Sequence, residues 1–194
     1  MKLQQAYVSG FERRSFRAYG VVLHPLTLGH VQLLAELGSP LAYGAEAQKP
    51  DLAVIISACA FPLWEQAREY ITTHESDLID FAKRVSKEYS DEETKKVLDY
   101  LAYYLTRPRS KSGGTDRAET RIPWWWSYAE FLQTEMSRSE VDAWNTICSD
   151  AFAYYASYIT RSGSEDFMTV REVFLAEQVE SGKTIAQLFD EGVI

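Results

Sequence analysis

Between Asp51 and Glu65 the chain carries no charged side chain; the run Pro50–Pro62 reads PDLAVIISACAFP. A helix that is apolar all round has to be covered all round, so the other elements must be arranged about it. Asp51 suits a helix N-terminus and Pro62 stops the element, which places the predicted helix at about 51–61. It is too short to span a bilayer, which takes about 20 apolar residues. The expected fold is mostly α: a multi-helix globular bundle around this buried apolar helix.

The rest of the chain supplies the covering elements. Val21–Leu23, between Gly20 and Pro25, predicts a short N-terminal strand or β-hairpin. From Thr27 the period becomes helical: Leu28, Val31, Leu34 and Leu37 recur, Thr27 is the N-cap, and Gly38–Ser39–Pro40 is the stop. After a loop over 41–49 and the apolar helix, Pro62 suits the first turn of a helix over 63–72. Residues 75–89 place Leu78, Phe81, Ala82, Val85 and Tyr89 on one face and Asp80, Lys83, Arg84 and Lys87 on the other, an amphipathic surface helix.

Three capping patterns mark later helix starts. Ser90-x-x-Glu93 predicts a reciprocal capping box before a helix that buries Val97, Leu98, Leu101 and Leu105. Ser137-x-x-Glu140, with Met136 and Val141 as a hydrophobic staple, predicts one long helix through Trp144, Cys148, Phe152, Tyr155 and Ile159, closed by Gly163. Thr169-x-x-Glu172, with Met168 and Val173, predicts a helix to about Glu180; a short helix over 184–189 follows Gly182.

Composition narrows the function classes. Twenty basic against 28 acidic residues give a net charge of -8, which argues against a nucleic-acid-binding surface. The basic residues gather in 107–121, RPRSKSGGTDRAETR, which contains Arg107, Arg109, Lys111, Arg117 and Arg121. This stretch either joins two lobes, 1–106 and 122–194, or is a surface loop of a single domain 1–194. Its charge is read as a solvated loop or as contact with an acidic partner surface. Behind it stand Pro123 and three consecutive tryptophans, Trp124, Trp125 and Trp126. Neighbours on a helix are turned by about 100°, so the three cannot all face one core and at least one is expected to be partly exposed. An exposed indole can anchor an interface or favour self-association.

No site chemistry is singled out. Gly182–Lys183–Thr184 resembles the tail of a phosphate-binding loop, but Glu177 stands where that motif needs glycine. His24, His30 and His74 match no common zinc spacing, and polar contacts around a turn are the expected role of the first two. Cys59 and Cys148 sit in apolar surroundings with no basic neighbour in sequence, as buried thiols of a reducing compartment do. The acidic groups at 91–93 and 165–166 complement helix dipoles. No catalytic, cofactor or metal residue is assigned, and MKLQQAYVSGFERR has no apolar region of signal-peptide kind.

Two stretches carry a resemblance. Leu23–Val31 (LHPLTLGHV), continuing through Gly38–Ser39–Pro40 to the apolar run with Cys59, resembles a pattern in tailed-bacteriophage proteins encoded among tail genes. Met136–Asn145 (MSRSEVDAWN) and Ala151–Tyr155 are similar to the late helical segment of such tail-assembly-chaperone-like proteins. The resemblance covers about a third of the chain. It implies a small, mostly helical, non-catalytic protein in the bacterial host cytoplasm that binds the tape-measure or tail-tube protein during tail building, or a minor virion component. Trp124, Trp125 and Trp126 are the expected contact surface, tuned by Arg107, Arg109, Lys111, Arg117 and Arg121. The charge of -8 also fits a reading of another class, an acidic DNA mimic that inhibits a host nucleic-acid enzyme or defence system.

Overall fold

A computed structural model describes residues 14–43, 49–108, 122–163, 167 and 170–181. These form a two-stranded hairpin and nine α-helices. Strand β1 is Phe16–Ala18 and β2 is Val21–Leu23, antiparallel with Phe16 opposite Leu23. Tyr19 and Gly20 both have positive φ, 48° and 77°, as a two-residue turn matched to strand twist requires. The helices are α1 Leu28–Glu36, α2 Lys49–Cys59, α3 Trp64–Thr73, α4 Glu75–Lys87, α5 Asp91–Leu105, α6 Trp124–Thr134, α7 Glu140–Trp144, α8 Cys148–Arg161 and α9 Val170–Glu180. A 3-10 turn, Pro40–Tyr43, follows α1.

The apolar helix is where the sequence places it. Leu52, Ala53, Ile55, Ile56, Ala58 and Cys59 of α2 are buried, and the helix packs against α1, α3, α4, α5 and β2. The hairpin lies on α5, where the Phe16 ring meets Tyr100, Tyr103 and Tyr104 at centroid distances of 5.4, 5.4 and 6.0 Å. These tyrosines take the inner face of α5 and Leu98 turns outward, 47% exposed, against the expectation that it is buried. Elements from both sides of 107–121 enter one apolar cluster: α1 meets α6 and α7, and α5 meets α8.

Two expected caps take a different form, one through a longer-range contact and one through a neighbouring serine. Ser90 is the N-cap of α5, but its side chain makes no capping hydrogen bond. The Glu93 carboxylate accepts instead from the backbone N–H of Tyr19 and from Lys96 Nζ, so it ties the hairpin turn to α5 rather than closing a box. Likewise the cap of α7 is Ser139, whose Oγ accepts from the Asp142 N–H at 3.1 Å and donates to its carboxylate at 2.7 Å. Ser137 stands in the left-handed region at φ 52° after α6, and Val141, expected to be stapled by Met136, is 63% exposed.

The long helix expected from 140 to 163 is broken at Asn145–Ile147. Leu28 N–H donates to the Thr146 carbonyl at 3.0 Å and Cys148 N–H to the Leu26 carbonyl at 2.9 Å, flanking an antiparallel bridge between Thr27 and Ile147. The first N–H groups of a helix have no partner inside it. Here the residues leading into α1 and α8, Leu26 and Thr146, accept from the first N–H of the other helix, and that exchange stops the helix of 140–144 from continuing. Pro62 lies in the connection before α3, whose N-cap is Leu63. Thr169, Gly182 and residues 184–189 lie outside the described residues; α9 ends at Glu180, where the expected helix ends.

Candidate partner-binding surface

The three tryptophans have three different fates. Trp124 is half-buried, with its ring 5.6 Å from Phe152 and 6.1 Å from Tyr128. Trp125 points into the core at 2% exposure, and Trp126 is left 48% exposed. One residue organises the latter two: Gln32 on α1 offers Oε1 to Trp125 Nε1–H at 2.8 Å and to Trp126 Nε1–H at 2.9 Å. Its amide Nε2 donates to Glu36 Oε1 at 3.0 Å, and Glu36 also meets Arg68 at 3.3 Å, so the Gln32 head is held from both ends.

Around this pair runs a seam of aromatic rings. Tyr43, from the 3-10 turn, is edge-on to Trp125 at 5.9 Å. Trp126 is edge-on to Trp144 of α7 at 5.2 Å, and Trp144 reaches Trp64 of α3 at 6.5 Å. Edge-to-face pairs at such separations add about 0.5–1.5 kcal/mol beyond burial. The exposed Trp126 ring is therefore fixed within the chain by a hydrogen bond and a neighbouring ring. Val141 is exposed on α7, which packs against α6, and Tyr43 is exposed beside Trp125. Sequence reading found the triplet but missed Gln32, Tyr43, Trp64 and Trp144. Trp144 was read as one position of a helical stripe, and a single glutamine in an amphipathic helix carries no signal of its own.

Arg107 lies with its guanidinium over three rings of its own chain: Trp124 at 4.7 Å, Phe152 at 5.1 Å and Tyr128 at 5.9 Å. Its stacking face is engaged within the fold. Arg109, Lys111, Arg117 and Arg121 lie outside the described residues.

The titratable groups of the interior are kept neutral. Burial pushes the Cys59 thiol up to about 12 and raises Cys148 well above the ordinary thiol value, so neither is a ready thiolate. Burial likewise lowers His30 to about 4. Among the described residues no three His, Cys, Asp or Glu side chains come together as a metal site, and no helix is long and apolar enough to cross a membrane. No family model, curated protein or solved structure matches this chain.

Proposed function

We propose that this chain is a non-catalytic binding protein that presents the Trp126 face to another protein, in the manner of a tail-assembly chaperone or a minor virion component of a tailed bacteriophage. The observation that carries the reading is the Trp126 indole, 48% exposed yet held by Gln32 and Trp144. Interface hot spots are enriched in tryptophan, and a ring already fixed in place loses little side-chain freedom on binding. The resemblance of Leu23–Val31 and Met136–Asn145 to phage proteins encoded among tail genes supplies the partner class: the tape-measure or tail-tube protein.

The test is capture of the tagged chain and of its Trp126→Ala and Tyr43→Ala variants from a lysate in which the phage genes are expressed, read by mass spectrometry at low and moderate salt. Both variants change exposed rings, and circular dichroism checks that they fold. The wild-type chain is expected to retain a tail-tube or tape-measure protein and the variants to lose it. Capture of tail proteins that is indifferent to Trp126 overturns the site, and capture without any tail component overturns the partner class.

A further inference from the structure

We propose that a second, separate site seats one large apolar side chain of a partner helix, in a cavity between β2, α2, α3 and α4. The cavity measures about 230 Å3, and its apolar wall is made by Val21, Ile56, Phe61, Ile71, Leu78 and Phe81. Sites for drug-sized ligands run to roughly 300–1,000 Å3. A cavity of about 150 Å3 holds a benzene ring. The volume thus suits a single indole, phenyl or leucine side chain better than a larger small-molecule ligand.

The rim gives the occupant its chemistry. Asp77 and Arg84 both line the opening and stand seven residues apart on α4, two turns along one face. Asp77 accepts from the Tyr70 hydroxyl at 3.0 Å, which fixes its carboxylate at one end. Arg84 lies over the Phe81 ring at 4.9 Å, and no carboxylate pairs with it among the described residues. Complementing the α4 dipole accounts for the sign of each charge. It does not account for an open apolar cavity between them.

Two opposite charges about 10.5 Å apart along a helix, with a cavity midway, match a second helix lying antiparallel to α4. The partner then carries an acidic residue facing Arg84, an apolar anchor three residues later over the cavity, and a basic residue four residues after that facing Asp77. The order acid, anchor, base also suits the partner helix's own dipole. This site goes beyond the Trp126 surface and does not depend on it.

The test uses the full chain and a labelled, end-blocked helical peptide of about sixteen residues containing Glu-x-x-Trp-x-x-x-Lys, read by fluorescence anisotropy. The peptide is expected to bind, and replacing its tryptophan with alanine to weaken binding at least about tenfold. Ala60 also lines the cavity, and Ala60→Phe, which fills it, is expected to abolish binding. A peptide with Glu and Lys exchanged is expected to bind the wild-type chain about tenfold more weakly, and the double variant Asp77→Lys, Arg84→Glu to reverse that preference. Trp126→Ala is expected to leave peptide binding unchanged, which separates failure here from failure of the surface proposed above. Binding that ignores the anchor, the Ala60 substitution or the charge exchange overturns the proposal. So does free indole-3-propionate binding as tightly as the peptide, which would make the cavity a small-molecule site.

Discussion

The Trp64 ring lies against the backbone of α1 at Gly29, so close that a β-carbon there would come within 2.2 Å of Cδ1. Gly29 sits inside a helix, where glycine costs about 1 kcal/mol relative to alanine, so helix propensity alone would favour the replacement. The contact reverses that preference. Moving the Trp64 ring aside would also disturb its contacts with Trp144 at 6.5 Å and the Arg68 guanidinium at 5.9 Å. Gly29→Ala is expected to destabilise the fold by about 1–3 kcal/mol, as overpacked cores do. Urea unfolding measures it, and the double variant Gly29→Ala, Trp64→Leu should be less unstable than the sum of its two single changes. Additive effects would mean that the two residues do not compete for the same space.

Trp125 and Trp126 share one acceptor but differ in burial, and their truncations should separate stability from binding. Trp125→Ala empties a core position and is expected to cost about 3–5 kcal/mol. Trp126→Ala removes a half-exposed ring and is expected to cost about 1 kcal/mol, since the lost edge contact with Trp144 is the main term. Gln32→Leu leaves the buried Trp125 N–H without an acceptor, a loss of about 1–3 kcal/mol. Chemical denaturation of the three variants checks the order. Equal costs for the two tryptophans would contradict the division between core and surface.

The parts of the fold legible in the sequence were those set by local periodicity and composition. The run around Ile55 and Ile56 had one possible location, and the stripe of Leu78, Phe81, Ala82, Val85 and Tyr89 had one possible face. What failed were local patterns overruled by partners far away in the chain. Ser90-x-x-Glu93 has the residues of a capping box, yet Glu93 is drawn to the N–H of Tyr19, 74 residues distant. The helix expected through Trp144 and Cys148 breaks because Leu26–Leu28 pairs with Thr146–Cys148, and nothing within either stretch announces the other. The candidate surface divides the same way. Helical geometry required one tryptophan of the triplet to be exposed, but choosing Trp126 depends on Gln32, which only folding brings near.

Arg107 closes the end of α5 over an aromatic group contributed by α6 and α8. A guanidinium over ring faces is worth about 0.5–2 kcal/mol, more as it is desolvated. Arg107 is exposed, so the lower half of that range applies. Arg107→Ala is expected to lower stability by about 1 kcal/mol. Arg107→Lys should recover only part of it, because a planar guanidinium stacks on rings and a compact ammonium does not. Thermal unfolding of the two variants measures the difference, and full rescue by lysine would mean that charge rather than stacking is what counts.

His30 makes the fold sensitive to acid. Its Nδ1 accepts from the Thr27 N–H at 3.3 Å and lies 2.8 Å from Thr27 Oγ1, while Nε2–H donates to the Phe61 carbonyl at 3.2 Å. Thr27 Oγ1 in turn accepts from the His30 N–H, so residue and cap satisfy each other at the start of α1. The bond from the Thr27 N–H to Nδ1 requires the neutral ring, since a proton on Nδ1 would face that N–H. Burial lowers the His30 pKa from 6.5 to about 4, against the opposing effect of the Phe61 hydrogen bond and with a small contribution from His24. The unfolded chain therefore takes up a proton at a higher pH than the folded one. The stabilising effect is complete above the unfolded value of 6.5 and is lost as pH falls through the folded value of about 4. Between those values stability should fall by about 1.4 kcal/mol per pH unit, on the order of 3 kcal/mol in all. His30→Gln is expected to be less stable than the wild-type chain at pH 7.5 but flatter between pH 7 and 5, before the carboxylates titrate. Urea midpoints across that range provide the measurement; parallel curves for the two proteins would show that His30 is not the group that takes up the proton.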